Sequence, residues 1–106
     1  MQTTKQRARS HSARAAAYTR RAESYARMSA DFYQTSRRWA AQAATLTQNR
    51  GLWFKDYTPA LLEENATTWK RIADTYLRMS FAETASAAYY RQMAANARAL
   101  AAEQEA

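Results

Sequence analysis

Arg20-Arg21-Ala22-Glu23-Ser24-Tyr25-Ala26-Arg27-Met28-Ser29 returns 51 residues later as Arg71-Ile72-Ala73-Asp74-Thr75-Tyr76-Leu77-Arg78-Met79-Ser80. Six of the ten pairs are identical, and Glu23/Asp74 and Ser24/Thr75 are conservative. Similarity at a fixed shift marks a duplicated structural unit. The same shift carries a seven-residue pattern outward in both directions. Tyr18, Tyr25, Phe32, Trp39 and Leu46 map onto Trp69, Tyr76, Glu83, Tyr90 and Ala97. A second row, Ala15, Ala22, Ser29, Ser36 and Ala43, maps onto Ala66, Ala73, Ser80, Ala87 and Ala94.

A heptad with one small and one bulky seam position is a helix pattern, and it keeps one face turned toward a partner helix along its length. Composition agrees. The chain has 106 residues with 26 alanines, 6 leucines, 1 isoleucine and no valine, so the best helix former dominates and the β-branched strand formers are nearly absent. Leu, Ile, Val and Phe make up only 10 residues, which with a net charge of +7 would suggest disorder, but the alanine and aromatic content opposes that.

The only glycine, Gly51, and the only proline, Pro59, lie together in the middle of the chain. Both flanks are therefore free of the strongest helix breakers. Thr3 and Gln6 form a Thr-x-x-Gln capping box, Gly51 suits a helix C-terminus, and Thr58-Pro59 suits the start of a second helix. The reading is all-α: one domain over residues 1–106, with helix 1 at about 3–49, an aromatic turn at 50–58 and helix 2 at about 59–103. Residues 1–14 are left open between helix and mobile basic arm. Helices of about 45 residues run roughly 65 Å. They must lie side by side, as a long antiparallel hairpin with an aromatic ladder. Setting Leu46 opposite Leu62 places Trp39 near Trp69, Phe32 near Tyr76, Tyr25 near Glu83 and Tyr18 near Tyr90. In that register the Tyr25 phenol would serve a half-buried Glu83.

On helix 2 the apolar arc runs from Ile72 and Met79 through Tyr76 to Leu77 and Phe81, wider than one partner helix covers. Ile72, Leu77, Met79 and Phe81 are thus the expected oligomer interface. Two helices alone hold a thin core, so a homodimer forming a four-helix bundle is expected.

Charge is uneven. Residues 1–50 carry ten Lys and Arg against two acids, and residues 51–106 carry six against seven. Arg9, Arg20, Arg27 and Arg38 recur at spacings of 11, 7 and 11, a stripe away from the aromatic seam that could follow phosphates. The plainer reading is a solvated face, with Glu23 and Asp31 each four residues from Arg27, and with Asp74 and Arg78 repeating the first pair. In the turn, Trp53, Phe54 and Tyr57 either plug the end of the bundle or anchor a partner.

No cysteine is present and His11 is the lone histidine, so thiol chemistry and imidazole clusters are excluded. No glutamate has a histidine three residues on, and no glycine-rich phosphate loop occurs. No catalytic residue, cofactor, metal or small-molecule substrate is expected, nor a membrane span; a cytoplasmic location is. Residues 1–22 are basic and acid-free like an organellar transit peptide, yet the repeat begins within them. The sequence thus leads to a non-catalytic module that binds another protein in assembly, adaptor or inhibitory roles. The alternative is a basic nucleic-acid-binding accessory protein using the helix 1 arginines.

Overall fold

A computed structural model describes residues 2–49 and 58–106. Helix α1 spans Thr4–Gln48 (45 residues) and helix α2 spans Pro59–Glu105 (47 residues). They pair antiparallel, so the chain is an all-α helical hairpin. Both expected N-terminal caps form. The Thr3 backbone N–H donates to Gln6 Oε1 at 2.8 Å while the Gln6 N–H donates to Thr3 Oγ1 at 3.1 Å. The Leu61 N–H donates to Thr58 Oγ1 at 3.2 Å, with Pro59 at the first helical position, where a missing N–H is no loss. Residues 4–14 are helical, and Ala8 within them is buried. Gly51, together with Trp53, Phe54 and Tyr57, lies outside the described residues.

The packing divides into two compact units, Met1–Ser24 with Met79–Ala106, and Tyr25–Arg78. In the first unit the buried residues are Ala8, Ala15, Ala22, Ser80, Ala87, Ala94 and Ala101. In the second they are Ser29, Ala43, Leu62, Ala66 and Ala73. Apart from Leu62, every one belongs to the small seam row read from the sequence, extended by one heptad at Ala8 and at Ala101. Ser36, in the same row, is half-buried.

Serine is tolerated there because its hydroxyl finds a carbonyl across the seam. In the second unit Ser29 Oγ donates to the Ala73 carbonyl at 2.8 Å and Ser36 Oγ to the Ala66 carbonyl at 2.6 Å. In the first unit Ser80 Oγ donates to the Ala22 carbonyl at 2.8 Å. These contacts need backbones close together, which only small seam residues permit. Off the seam, threonines are held in the helices by bonds to the carbonyl four residues back, as at Thr19, Thr67 and Thr84.

The bulky row packs beside the small one, and its register follows the expectation in part. Tyr18 stacks on Tyr90 with centroids 5.4 Å apart, and Phe32 packs on Tyr76 at 5.2 Å. Phe32 also stacks on Trp69 at 5.4 Å, where Trp39 was the expected neighbour, and Tyr25 packs on Tyr76 at 5.9 Å. The reason is geometric: a seam side chain enters the hole between two partner positions and does not meet one residue head-on. Phe32 between Trp69 and Tyr76 is such a knob.

Candidate interaction surface

The first unit uses its cations in two different ways. On one side of α1, Arg7, Arg14 and Arg21 recur every seven residues. Two of them are turned inward onto the ring cluster. The Arg14 guanidinium lies 5.5 Å over the Tyr90 ring and its Nη1 donates to the Tyr90 hydroxyl at 3.4 Å. The Arg21 guanidinium lies 4.5 Å over the Tyr18 ring, and its Nε is 3.8 Å from Glu83 Oε2. Each arginine thus sets its guanidinium charge over an aromatic face, whose quadrupole attracts it. Tyr90 is the hub of this cluster, with His11 stacked at 6.0 Å and Tyr89 edge-on at 5.2 Å.

Glu83 occupies the bulky seam position that Phe32 holds in the first copy of the repeat. Its neighbour is the Arg21 guanidinium, not the phenol expected from the simple register. At 3.8 Å this is an ion pair without a hydrogen bond, and Oε2 is buried with no donor among the described residues.

The opposite side of the first unit is a groove between the helices. One stretch, of about 530 Å³, has a floor of Ala8, Ala101 and Ala102 and carries Lys5, Arg9 and Arg98 on its walls. A second stretch, of about 400 Å³, is floored by Ala15 and Ala16 and carries Arg20 and Arg91. Ser12 lines both, and Arg98 Nη1 donates to its hydroxyl at 3.2 Å. Two acids lie along the groove, Glu23 and Glu105, and Glu105 is ion-paired to Lys5. Arg9, Arg20 and Arg91 make no ion pair, hydrogen bond or ring contact among the described residues.

Of the four arginines singled out from the sequence, Arg9 and Arg20 line this groove. Arg27 and Arg38 belong to the second unit and are exposed. The ion pairs expected of a self-compensating face, Glu23 with Arg27, Arg27 with Asp31 and Asp74 with Arg78, are not formed among the described residues. Asp74 instead accepts the Tyr33 hydroxyl across the second unit. That bond raises the Tyr33 pKa above its ordinary value; desolvation and the Asp74 charge act in the same sense, and Arg78 opposes them.

Arg91 and Arg98 were missed by the sequence reading because the charge count directed attention to the first half of the chain. Their signal was present in the spacing: 91 and 98 lie one heptad apart, four residues after the small-row positions Ala87 and Ala94. On such a helix that offset borders the seam.

The residues expected at an oligomer interface are distributed as follows. In the second unit Ile72 and Leu77 are half-buried. In the first unit Met79 is 37% exposed and Phe81 64%. Tyr89, off the seam, is exposed at 59%. Among the described residues no helix is long and apolar enough to cross a membrane, and no group of three or more His, Asp or Glu could hold a metal ion. No protein-family model, curated protein or solved structure matches the chain.

Proposed function

We propose that this protein is a non-catalytic module that binds another macromolecule through its helix surfaces, pairing with a second copy into a four-helix bundle. The observation that supports this reading is where the bulk sits. The deeply buried residues of the described core are alanines, two serines and Leu62, while Phe81, Tyr89, Leu100 and Leu61 stand exposed on α2. Alanine burial removes little apolar surface per residue, so two helices of this kind gain stability by covering their outer side chains with a partner. Light scattering across a concentration series tests the pairing. Dimer is expected, with Met79→Glu plus Phe81→Glu shifting the mass toward monomer; a monomer up to high micromolar concentration overturns it.

A second reading, a basic nucleic-acid-binding accessory protein, is favoured by a separate observation: Arg9 and Arg20 are exposed, unpaired and set along one groove. Affinity for a labelled oligonucleotide that falls steeply with salt is its expected signature. No binding at low salt removes this reading and leaves the first.

A further inference from the structure

We propose that the alanine-floored groove of the first unit is a binding site for the phosphodiester backbone of a nucleic acid, with Arg9, Arg20, Arg91 and Arg98 as its phosphate contacts. The inference rests on the nucleic-acid reading and deepens it by moving the site. The stripe along α1 that the sequence suggested gives way to a groove to which both helices contribute.

Three observations carry it. First, the arginines of the first unit are partitioned. Arg14 and Arg21 are engaged by rings and by Glu83, whereas Arg9, Arg20 and Arg91 on the groove have no internal partner among the described residues, and on the ring side Arg7 alone has none. Surface cations outside any ion pair concentrate counter-ions, here with Glu23 the one acid lining the stretch of Arg20 and Arg91, and a polyanion that displaces those ions binds with the entropy of their release. Second, the cations border a concave surface. Arg9 and Arg20 are 11 residues apart on α1 and Arg91 and Arg98 are 7 apart on α2, hence about 16 Å and about 10 Å of helix. A strand advancing about 3.4 Å per nucleotide places several phosphates within each span. Third, the floor is methyl groups. Alanine lets a backbone approach the guanidinium forks closely, and Ser12 already turns its hydroxyl to Arg98, holding that fork at the junction of the two stretches.

The same features select among anionic partners. Guanidinium groups meet phosphate oxygens in bidentate fashion, and four of the five groove cations are arginines. An anionic bilayer would call for long apolar side chains beside the cations, and here the floor is alanine. Beyond Ser12 and Thr19 the groove offers few neutral hydrogen-bonding side chains, so it reads charge and spacing, as a repeating backbone presents them.

The test compares two variants of equal charge loss by fluorescence anisotropy, with labelled single-stranded and duplex DNA at two salt concentrations. Arg9→Gln, Arg20→Gln and Arg91→Gln together remove three groove cations. Arg27→Gln, Arg37→Gln and Arg38→Gln remove three exposed cations from the second unit. Circular dichroism melts establish that both variants fold. The groove variant is expected to bind at least about tenfold more weakly at low salt, with the salt slope reduced by about 2 for a single strand; the other variant stays close to wild type. Equal losses in the two variants overturn the site while leaving nucleic-acid binding intact. Absence of binding by the wild type overturns the reading beneath it. Equal affinity for polyglutamate, or for vesicles rich in anionic lipid, overturns the assignment to a phosphodiester backbone.

Discussion

Ser29 Oγ donates a 2.8 Å hydrogen bond to the backbone carbonyl of Ala73, and both residues are almost wholly buried. Shifted by the 51-residue repeat, Ala73 becomes Ala22 and Ser29 becomes Ser80, and Ser80 Oγ donates to the Ala22 carbonyl at the same distance. The duplication therefore preserved a particular bond and not merely a hydrophobic pattern. A helix carbonyl has a second lone pair to offer, so the serine is satisfied without breaking the helix ladder. This is how a polar residue remains in a seam where it is almost wholly buried.

Replacing Ser29 by alanine removes a bond worth about 1 kcal/mol net but places a better helix former at the site, returning up to about 0.5 kcal/mol. Ser29→Ala is accordingly expected to be mildly destabilising. Ser80→Ala should behave alike, because it removes the corresponding bond in the other copy. Urea midpoints measure both; a loss of several kcal/mol in either would show that the hydroxyl does more than satisfy itself.

Enlarging the seam should be far more damaging than emptying it. Ala73 is 0% exposed and leaves no room between the backbones. Ala73→Leu must separate the helices locally, which breaks the Ser29 bond and costs about 1–3 kcal/mol or more. Ala26→Leu, at an exposed position whose counterpart in the repeat is Leu77, is the control and should change the midpoint little. Similar losses in the two variants would mean that the small seam does not set the helix spacing.

The small seam was legible in the sequence because a heptad of Ala and Ser leaves no second explanation, and the caps at Thr3 and Thr58 were legible because each uses local chemistry. What required the structure were contacts that depend on register between helices. Tyr33 lies off both seam rows, yet it reaches Asp74, a residue 41 positions away. Arg98 reaches Ser12 in the same way, and Arg91 joins it on the groove wall. Seam positions repeat every seven residues, so a sequence pattern is compatible with several registers one heptad apart. The side chains bordering the seam acquire partners only when one register is selected.

Tyr33 gives a prediction about alkaline pH. Its phenol donates to Asp74, and this bond, with desolvation and the Asp74 charge behind it, holds the proton more tightly than in the unfolded chain. Below the ordinary value of 10.0 both states carry the proton and the stabilisation is fully present. As pH rises past that value and through the raised folded one, the unfolded chain releases its proton first and the contribution is lost. Wild type should therefore lose more stability than Tyr33→Phe over this window. Denaturation midpoints recorded for both proteins on either side of pH 10.0 decide it, and parallel curves would remove the bond from the account.

Glu83 predicts a stabilising substitution. It holds the bulky seam position at which the first copy carries Phe32, and its Oε2 is buried with no hydrogen-bond donor among the described residues, 3.8 Å from Arg21 Nε. The Oε2 oxygen so placed has given up water and received an ion pair without hydrogen-bond geometry, so an apolar residue of similar volume should serve the seam better. Glu83→Leu is expected to raise the urea midpoint, by an amount equivalent to about 1–2 kcal/mol. Arg21→Gln should lower it, because the buried Oε2 then has no cation beside it. The two changes combined should fall below Glu83→Leu alone only by the Tyr18 cation–π contact, about 0.5–1 kcal/mol, since Arg21 has already lost its charge partner in the single variant. If Glu83→Leu destabilises the protein instead, the carboxylate is making a contribution that its observed partners do not explain, and the assignment of this seam position as a misfit would be wrong.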